Sequence, residues 1–367
     1  MVSVKEILKI LKKCKINFFT GVPDSVLKNL TNNFSQLKNS QNVIATNEGS
    51  AVSLGIGYYL STKKIPCVYM QNSGLGNAIN PLISIAHKKV YSIPLLLMIG
   101  WRGSPGKEDE PQHNVKGRIT IELLKLLNIS YCIIRKKKDL FKLKNLIRKS
   151  HNLKNPVACL VENGTLESTT KKIKIRKKNN FPLRKNFIIK FLKAIPNNSK
   201  IISTTGYTSR ELMQIRKEKK LSRGKDFYMV GGMGHSSMVS LGYSLSSSKP
   251  IFCLDGDGSV LMHFGALRTF GYFGNSKLKH ILLNNNMHES VGGQTTMAAG
   301  INFKNVVKSF GYKNYFKISK EKEIKPVLKR FINSLGPSFL EVFISKGTLI
   351  NLMRPDNLIK IKNKFIQ

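Results

Sequence analysis

Two polar side chains in the second half of the chain, Asp257 and Asn285, have the types and spacing of metal ligands. The segment PIFCLD (250–255) has the pattern of a buried strand, and GDGS (256–259) follows it as a tight loop. An apolar-striped helix and the strand HILL (280–283) come next, and Asn285 follows that strand. A strand–helix–strand unit takes about 30 residues, so both side chains fall at the carboxyl ends of parallel strands. A carboxylate and an amide oxygen are hard ligands that suit Mg²⁺.

The glycines beside Asp257 indicate a phosphate-binding loop. Gly256 and Gly258 let the backbone approach a phosphate closely, and the helix that starts near Ser259 offers free N–H groups. An EF-hand is excluded because the twelfth position of its loop would be alanine rather than glutamate, and the chain has no P-loop motif. A plain turn between a strand and a helix stays open as the alternative for such a short motif.

The elements that must position these residues alternate between strands and helices in both halves of the chain. Amphipathic helices are predicted over 24–34, 50–60 and 120–127. Strand patterns cover NFFTGV, NVIATN, PCVYMQ, PLLLMIG, YCIIRK and PVACLVEN, then KIISTTG, DFYMVGG, PIFCLD, HILLNN, YFKIS and SFLEVFIS. This alternation predicts an α/β protein with two modules, each a parallel sheet with helices on both faces.

The two halves also resemble each other in sequence. Residues 49–61, GSAVSLGIGYYLS, and residues 234–246, GHSSMVSLGYSLS, share an initial glycine and the string VSLG. Between the halves, residues 169–185 are basic, contain a proline and are weakly periodic. We therefore predict domains over 1–168 and 186–367 joined by a basic linker, and we interpret them as two copies of one module.

Net charge and cysteine content limit the class of protein. The chain has 61 Lys and Arg against 20 Asp and Glu, a formal charge of +41. A basic nucleic-acid-binding protein is therefore the alternative from another class, although no nucleic-acid-binding motif accompanies the widely spread lysines. A positive field would also attract anionic substrates. Five scattered cysteines, no signal-peptide pattern and no long apolar run predict a cytoplasmic enzyme with no membrane or specific nucleic-acid partner.

The GDG string followed at this spacing by NN resembles the fingerprint of the thiamine-diphosphate-dependent enzymes. The resemblance implies thiamine diphosphate and Mg²⁺ as cofactors. Asp257, the side chain of Asn285 and the backbone carbonyl of Met287 would be the metal ligands. The loop residues that would contact the diphosphate are Gly256, Gly258 and Ser259.

The same resemblance assigns residues to the pyrimidine end of the cofactor. Glu48, which directly follows NVIATN, matches the glutamate that hydrogen-bonds N1′ of the aminopyrimidine, where it would be catalytic. An ordinary acid at a helix N-terminus is the alternative. Met233 matches the bulky residue beneath the bent cofactor, and the carbonyl of Gly231 would accept from the 4′-amino group. A core methionine is the alternative for Met233.

Within this family the chain most resembles the phosphonopyruvate decarboxylases, and the sulfopyruvate decarboxylases share much of the pattern. The resemblance implies a non-oxidative decarboxylation that converts 3-phosphonopyruvate to phosphonoacetaldehyde and CO₂. Sulfopyruvate is the alternative substrate, and a carboligase similar to acetolactate synthase is a rival that usually carries a middle domain, which this chain lacks. The strings that carry the resemblance are TGVPDS (20–25), ATNEGSAV (45–52), MQNSGLGNAINPL (70–82), IGWRGSPGKEDEPQHNVKGR (99–118) and LNNNMHESVGGQTT (283–296).

A small anionic 2-oxo acid substrate requires cations in its pocket. Residues 101–118 are predicted to form a Gly- and Pro-rich loop after a strand, where Arg102 and Arg118 would bind the substrate. Arg102 is favoured because a guanidinium can bind a phosphonate through two hydrogen bonds. Solvated surface charge is the alternative for each of these residues.

Four residues, one aspartate and three histidines, are candidates for moving protons. Asp24 resembles the aspartate that related decarboxylases place near the substrate, and it would either relay protons or cap a helix. His113 is the first candidate for the proton donor after CO₂ is lost, because a near-neutral pKa suits that step. His235 and His288 are second choices.

In this family the pyrimidine and the diphosphate of one cofactor lie on two different subunits. The resemblance therefore implies a homo-oligomer, at least a dimer, with active sites at the subunit interfaces.

Overall fold

The structure, a computed structural model, describes residues 1–167, 180–219, 221 and 225–367. The chain divides into two compact units, Met1–Lys174 with Val291–Gln294 and Ile175–Ser290 with Thr295–Gln367. Most of the predicted linker over 169–185 lies outside the described residues, so the domain limits predicted from the sequence stay a prediction.

The first unit is built on a six-stranded parallel sheet of order β2-β1-β3-β4-β6-β5. Alternate residues of β3 and β4 belong to two separate apolar clusters, so helices cover both faces of the sheet. The strands are β1 Phe19–Gly21, β2 Asn42–Ile44, β3 Cys67–Gln71, β4 Leu96–Trp101, β5 Ser130–Ile134 and β6 Val157–Glu162. The helices are α1 Val4–Lys13, α2 Lys28–Phe34, α3 Glu48–Thr62, α4 Leu75–Pro81, α5 Pro111–Leu126 and α6 Leu140–Leu153.

The second unit contains another six-stranded parallel sheet, of order β11-β12-β10-β9-β7-β8. Two apolar clusters pack against it. The strands are β7 Lys200–Ser203, β8 Phe227–Tyr228, β9 Ile251–Gly256, β10 Leu278–Asn284, β11 Asn314–Ile318 and β12 Ser338–Phe343. The helices are α7 Arg184–Ala194, α8 Tyr207–Glu218, α9 Ser236–Leu245, α10 Asp257–Met262, α11 Ala266–Phe273, α12 Phe303–Ser309, α13 Ile324–Asn333 and α14 Leu358–Ile366.

The two sheets have the same strand order. When the strands are numbered from one within each unit, both sheets run 2-1-3-4-6-5. The similar segments 49–61 and 234–246 form α3 and α9, and each of these helices follows the second strand of its unit. The fold class predicted from the sequence, two α/β modules with parallel sheets and no middle domain, is confirmed.

Two predicted helices and one predicted loop have different limits in the structure. The helix predicted over 24–34 begins only at Lys28, and the helix predicted after the GDG loop is divided into α10 and α11. The predicted loop 101–118 is wrong beyond Glu110, because α5 begins at Pro111, where a proline fits the first turn of a helix. A Cβ atom on Gly117 would lie 1.6 Å from the carbonyl oxygen of Gly103, so this glycine marks close packing inside a helix rather than a loop.

No helix in the described residues is both long enough and apolar enough to cross a bilayer. The five cysteines are free thiols, three of them buried.

Candidate active site

Three strands of the first unit are followed by polar residues that the sequence singled out. Asp24 follows β1, Glu48 follows β2 and Arg102 follows β4, while Gln71 is the last residue of β3. These four strands are adjacent in the order β2-β1-β3-β4. Open parallel sheets bind their ligands at the carboxyl ends of the strands, so this edge is the candidate site of the unit.

Glu48 is the first residue of α3, and its carboxyl group has a fixed position. Asn47 caps the helix by accepting from the backbone N–H of Ser50 at 2.8 Å. Asn77 Nδ2 donates to Glu48 Oε2 at 2.8 Å, and Glu48 is only 5% exposed. A Cβ atom on Gly74 would lie 2.3 Å from Glu48 Oε1, so that glycine leaves the space which the carboxyl group occupies.

Asp24 is fully buried and has a partner on each carboxylate oxygen. Its Oδ2 accepts from the backbone N–H groups of Val26 at 3.1 Å and Leu27 at 3.0 Å, which forms a turn just before α2. Its Oδ1 accepts from Gln71 Nε2 at 2.7 Å. Burial raises the pKa of Asp24 above its usual range. Both backbone donors precede α2, whose N-cap residue is Leu27, so helix capping and proton relay by Asp24 both stay predictions.

Arg102 is held by a carboxylate of its own segment. Its Nε donates to Asp109 Oδ2 at 2.7 Å, and its Nη2 donates to Asp109 Oδ1, while Glu110 Oε1 lies 3.6 Å from Nη2. Burial alone would raise the pKa of Asp109, but the hydrogen bonds from Arg102 lower that pKa to about 2. The sequence predicted Arg102 as a substrate ligand, and the structure shows that its guanidinium already has an anionic partner.

His113 and Arg118 lie on α5 rather than on the predicted loop. Burial, together with the positive charge of Arg102, lowers the pKa of His113 to about 4. The near-neutral pKa on which the proton-donor prediction depended is therefore wrong for this structure. His113 Nδ1 is buried and has no hydrogen-bond partner among the described residues. Arg118 is exposed, so its contact with a substrate stays a prediction.

In the second unit, the three predicted metal ligands come together at the ends of β9 and β10. The backbone N–H of Met287 donates to both Asp257 Oδ2, at 3.0 Å, and Asn285 Oδ1, at 3.1 Å. The Met287 carbonyl accepts from the N–H of Glu289 at 2.9 Å, which leaves the oxygen a second lone pair. Spacing in the sequence thus brought Asp257 and Asn285 together at one backbone N–H, and the roles of Asp257, Asn285 and the Met287 carbonyl as metal ligands stay a prediction.

The chemistry of these three residues fits a divalent cation. Asp257 is 4% exposed, and burial raises the pKa of its carboxyl group to about 6 although Thr296 and Met287 donate hydrogen bonds to it. A cation at this position would favour the ionised carboxylate. One carboxylate, one amide oxygen and one backbone carbonyl are the hard oxygen donors that Mg²⁺ takes together with phosphate oxygens.

The residues predicted to contact the cofactor lie around the GDG loop. Ser259 Oγ accepts from the N–H of Gly234 at 3.0 Å and from Thr204 Oγ1 at 2.9 Å, which ties the glycine-rich segment 230–234 to this loop. A Cβ atom on Gly258 would lie 3.1 Å from Met233 Cε. Met233 is therefore adjacent to Gly258, and Gly231 lies in the same segment. The space beside Gly258 is occupied by the side chains of Met233 and His288, so the approach of a phosphate to this loop stays a prediction.

The second-choice histidines lie near the same loop. The rings of His235 and His263 stack with their centroids 4.5 Å apart. His288 Cε1 lies 2.9 Å from the position of a Cβ atom on Gly258, and burial lowers the pKa of His288 to about 4. A proton-donor role for either His235 or His288 stays a prediction.

Sequence reasoning missed the side chains that orient the predicted ones. Asn77 holds Glu48, Gln71 holds Asp24, and Thr296 and Glu289 hold Asp257 and Asn285. Asn77, Glu289 and Thr296 do lie in strings that carry the family resemblance, but nothing in their types indicates which side chain each of them contacts.

Comparisons with known proteins agree with this geometry. Residues 2–139 match the family model of the thiamine pyrophosphate enzyme N-terminal TPP binding domain, and residues 204–342 match that of the C-terminal TPP binding domain. A phosphonopyruvate decarboxylase of Streptomyces viridochromogenes is 31% identical over 97% of this chain and 91% of its own length. This chain belongs to the thiamine-diphosphate-dependent enzyme family. It is a carboxy-lyase of that family and acts on a 2-oxo acid.

Two further members of the thiamine-diphosphate-dependent family are similar over nearly the whole chain. A phosphonopyruvate decarboxylase of Streptomyces hygroscopicus is 30% identical over 97% of this chain and 90% of its own length. A sulfopyruvate decarboxylase of Methanosarcina acetivorans is 26% identical over 94% of this chain and 91% of its own length. Each of these alignments therefore spans both TPP-binding domains of this chain.

Proposed function

We propose that this protein catalyses the thiamine-diphosphate- and Mg²⁺-dependent decarboxylation of 3-phosphonopyruvate to phosphonoacetaldehyde and CO₂. The observation that carries the proposal is the full-length similarity to two phosphonopyruvate decarboxylases. The site geometry supports it, because Asn77 holds Glu48 in one unit, and Asp257 and Asn285 accept from the same backbone N–H in the other.

The second unit would hold the metal and the diphosphate. Asp257, the Asn285 amide oxygen and the Met287 carbonyl would ligate Mg²⁺, and the GDG loop would approach the phosphates. Thiamine diphosphate supplies the electron sink for loss of CO₂. In the first unit, Glu48 would exchange a proton with the aminopyrimidine, since its carboxyl group is held by Asn77 and has room beside Gly74.

Arg102 would bind the anionic end of the substrate in place of Asp109. The carboxylate of Asp109 contacts the guanidinium with both oxygens, which is the arrangement that a phosphonate can also adopt. A phosphonate with two negative charges competes with a single carboxylate for this position. The substrate would therefore displace Asp109 from Arg102 when it binds.

Asp24 is a better candidate than His113 for carrying a proton to the product. Burial moves the pKa of Asp24 upwards, which is the direction that favours a protonated carboxyl group. The pKa of His113 is lowered to about 4, so His113 is neutral near pH 7 and is a poor acid. The side chain of Asp24 also passes over Gly100, the strand residue two positions before Arg102.

We further propose a homo-oligomer of at least two copies with active sites at subunit interfaces. A groove of about 1000 Å³ runs along α3, the helix that begins with Glu48. Leu54 is 41% exposed in this groove. Small and apolar residues line much of the groove, including Phe18, Val43, Gly49, Ser53, Gly57, Tyr58 and Ile85. Light scattering should give a mass of at least two chains, and a catalytically active monomer would contradict the proposal.

The substrate is tested by measuring CO₂ release from phosphonopyruvate, sulfopyruvate and pyruvate at equal concentrations. We expect the highest kcat/KM with phosphonopyruvate and no activity when Mg²⁺ is removed by a chelator. The relative from Methanosarcina acetivorans makes sulfopyruvate the second candidate, and a higher kcat/KM with it would replace phosphonopyruvate in the proposal. Enzyme that carries Glu48→Gln serves as the background control.

A further inference from the structure

The side chain of Asn285 is oriented by a carboxylate that lies outside the proposed metal-ligand set. Asn285 Oδ1 accepts from the backbone N–H of Met287 at 3.1 Å, on the side of Asp257. Asn285 Nδ2 donates to Glu289 Oε2 at 3.1 Å. The two ends of one amide group are thus bound by different partners.

Glu289 is itself fixed by a buried arginine. Arg184 Nη2 donates to Glu289 Oε2 at 2.6 Å, and the backbone N–H of Gly347 donates to Glu289 Oε1. Arg184 is 5% exposed, so this contact is shielded from water and stronger than a surface ion pair. The carboxylate of Glu289 therefore has little freedom to turn away from Asn285.

A second carboxylate contacts the same arginine without reaching Asn285. Glu211 Oε1 accepts from Arg184 Nη1 at 3.3 Å and from the backbone N–H of Leu349 at 3.0 Å, and Glu211 is 1% exposed. Glu211 and Glu289 thus share Arg184, but the described contact with the amide of Asn285 is made by Glu289. This pair provides a matched comparison.

The orientation of an asparagine amide matters because its two ends have nearly the same shape and opposite hydrogen-bonding character. The NH₂ group donates and the oxygen accepts, and only the oxygen can ligate a hard cation. An ionised carboxylate accepts hydrogen bonds only, so Glu289 binds the NH₂ end and leaves the oxygen facing Asp257. Without Glu289, the amide could turn over and present NH₂ to the metal position.

We propose that Glu289, anchored by Arg184, is a positioning residue that commits the oxygen of Asn285 to Mg²⁺. This inference rests on the proposed function, since it takes Asn285 as a ligand of the metal. It adds Glu289 and Arg184, which act through Asn285, to the three ligands that the GDG and NN motifs indicate.

Glu289→Gln tests the proposal by titration of Mg²⁺ into protein saturated with thiamine diphosphate, followed by calorimetry. We expect the Kd for Mg²⁺ to rise about 10- to 100-fold, the usual cost of losing a partner that orients a metal ligand. Glu211→Gln is the control, because it also removes a carboxylate from Arg184, and its Kd should stay within about twofold of the wild-type value. Thermal unfolding without cofactors measures how far each variant is destabilised.

A swap of the two side-chain types separates orientation from general loss of structure. Asn285→Asp alone puts two carboxylates against each other, whereas the double variant Asn285→Asp with Glu289→Gln restores a donor–acceptor pair with the donor on the other residue. We expect the double variant to bind Mg²⁺ more tightly than Asn285→Asp alone.

Three results would overturn the inference while leaving the proposed cofactors intact. They are an unchanged Kd in Glu289→Gln, an equal loss in Glu211→Gln, and a double variant no better than Asn285→Asp. Failure of the wild-type protein to bind Mg²⁺ in the presence of thiamine diphosphate would instead contradict the proposed function, and this inference with it.

Discussion

The two units place different chemistry on sheets of identical strand order. In the first unit, Glu48 follows the second strand, and the amide of Asn77 holds its carboxyl group. In the second unit, the equivalent position after the second strand leads to the glycine-rich segment 230–234, while Asp257 follows the third strand and Asn285 the fourth. Strand order fixes where side chains can meet, whereas the residue types after each strand decide what they can bind.

The partners of the carboxylates at the two sheet edges also differ in charge. Asp109 in the first unit has an arginine partner that lowers its pKa to about 2, while Asp257 in the second has neutral donors and a pKa raised to about 6. A carboxylate already paired with a cation is suited to release that cation to a substrate. A carboxylate buried without one is suited to accept a metal ion.

The largest expected effect comes from Glu48→Gln in the first unit. We expect kcat to fall about 10²- to 10⁴-fold, the range for loss of a positioned proton-transfer group, with little change in the Kd for thiamine diphosphate. Turnover is measured by CO₂ release and cofactor binding by calorimetry. Asp257→Ala in the second unit should instead lose cofactor binding. Wild-type turnover in Glu48→Gln would show that Glu48 takes no part in the chemistry.

Gly74→Ala should have the next largest effect, because its methyl group would displace the carboxyl group of Glu48. The added Cβ atom would lie 2.3 Å from Glu48 Oε1, so the carboxyl group would have to move by about 1 Å, and a misplacement of that size costs about 10²-fold in rate. Gly76→Ala is the control, since a Cβ atom at Gly76 has no heavy atom within 4 Å. Equal kcat values for the two variants would show that the position of Glu48 is not critical.

The raised pKa of Asp257 gives the second unit a distinct pH dependence. The folded cofactor-free protein holds this proton more tightly than the unfolded chain, because the folded pKa is about 6 and the unfolded value is 3.8. Stability should therefore fall as the pH rises from about 4 to about 6, by on the order of 3 kcal/mol, and Asp257→Asn should remove that fall. Urea unfolding at a series of pH values measures it.

Binding of Mg²⁺ should follow the same group with the opposite sign. The ion competes with the proton for Asp257, so the Kd for Mg²⁺ should rise about tenfold for each pH unit below 6. A Kd that does not change between pH 5 and 7 would contradict the role of Asp257 as a ligand.

Asp109→Asn should have the smallest effect, and it tests the pairing in the first unit. Removing the carboxylate frees Arg102 for the phosphonate, so we expect KM for phosphonopyruvate to fall about two- to fivefold, as for loss of one competing ion pair. Steady-state kinetics at fixed ionic strength give the value. Glu108→Gln is the control because Glu108 is exposed in the same segment, and a raised KM in Asp109→Asn would show that Asp109 holds Arg102 in its productive place.

Much of the fold could be predicted from the sequence because buried parallel strands are short apolar runs between helices. All twelve strand patterns correspond to strands of the structure. The start of α5 could not be predicted, because Gly117 is a loop signal in the sequence and a close-packing residue in the structure. Gly117 has to be glycine because it packs against the carbonyl of Gly103, which is distant along the chain.

The candidate site could be predicted only as far as residues that follow strands directly. Asp257 and Asn285 are found by counting along a strand–helix–strand unit, and Glu48 is found through the family resemblance. The pairing of Arg102 with Asp109 depends on the path of the segment between them, and a sequence does not give that path. The roles of Asn77 and Glu289 depend on which end of an amide faces which neighbour, which is a property of packed side chains.

Each of the four apolar clusters draws its residues from one unit only, between Val2 and Leu166 in the first and between Phe187 and Phe365 in the second. Among the described residues, neither apolar interior includes a hydrophobic side chain from the other unit. Substitutions in the segments that follow the strands of one unit could therefore accumulate without weakening the apolar interior of the other unit. On our interpretation of the units as two copies of one module, that independence would allow one copy to specialise in proton chemistry while the other acquires a cation.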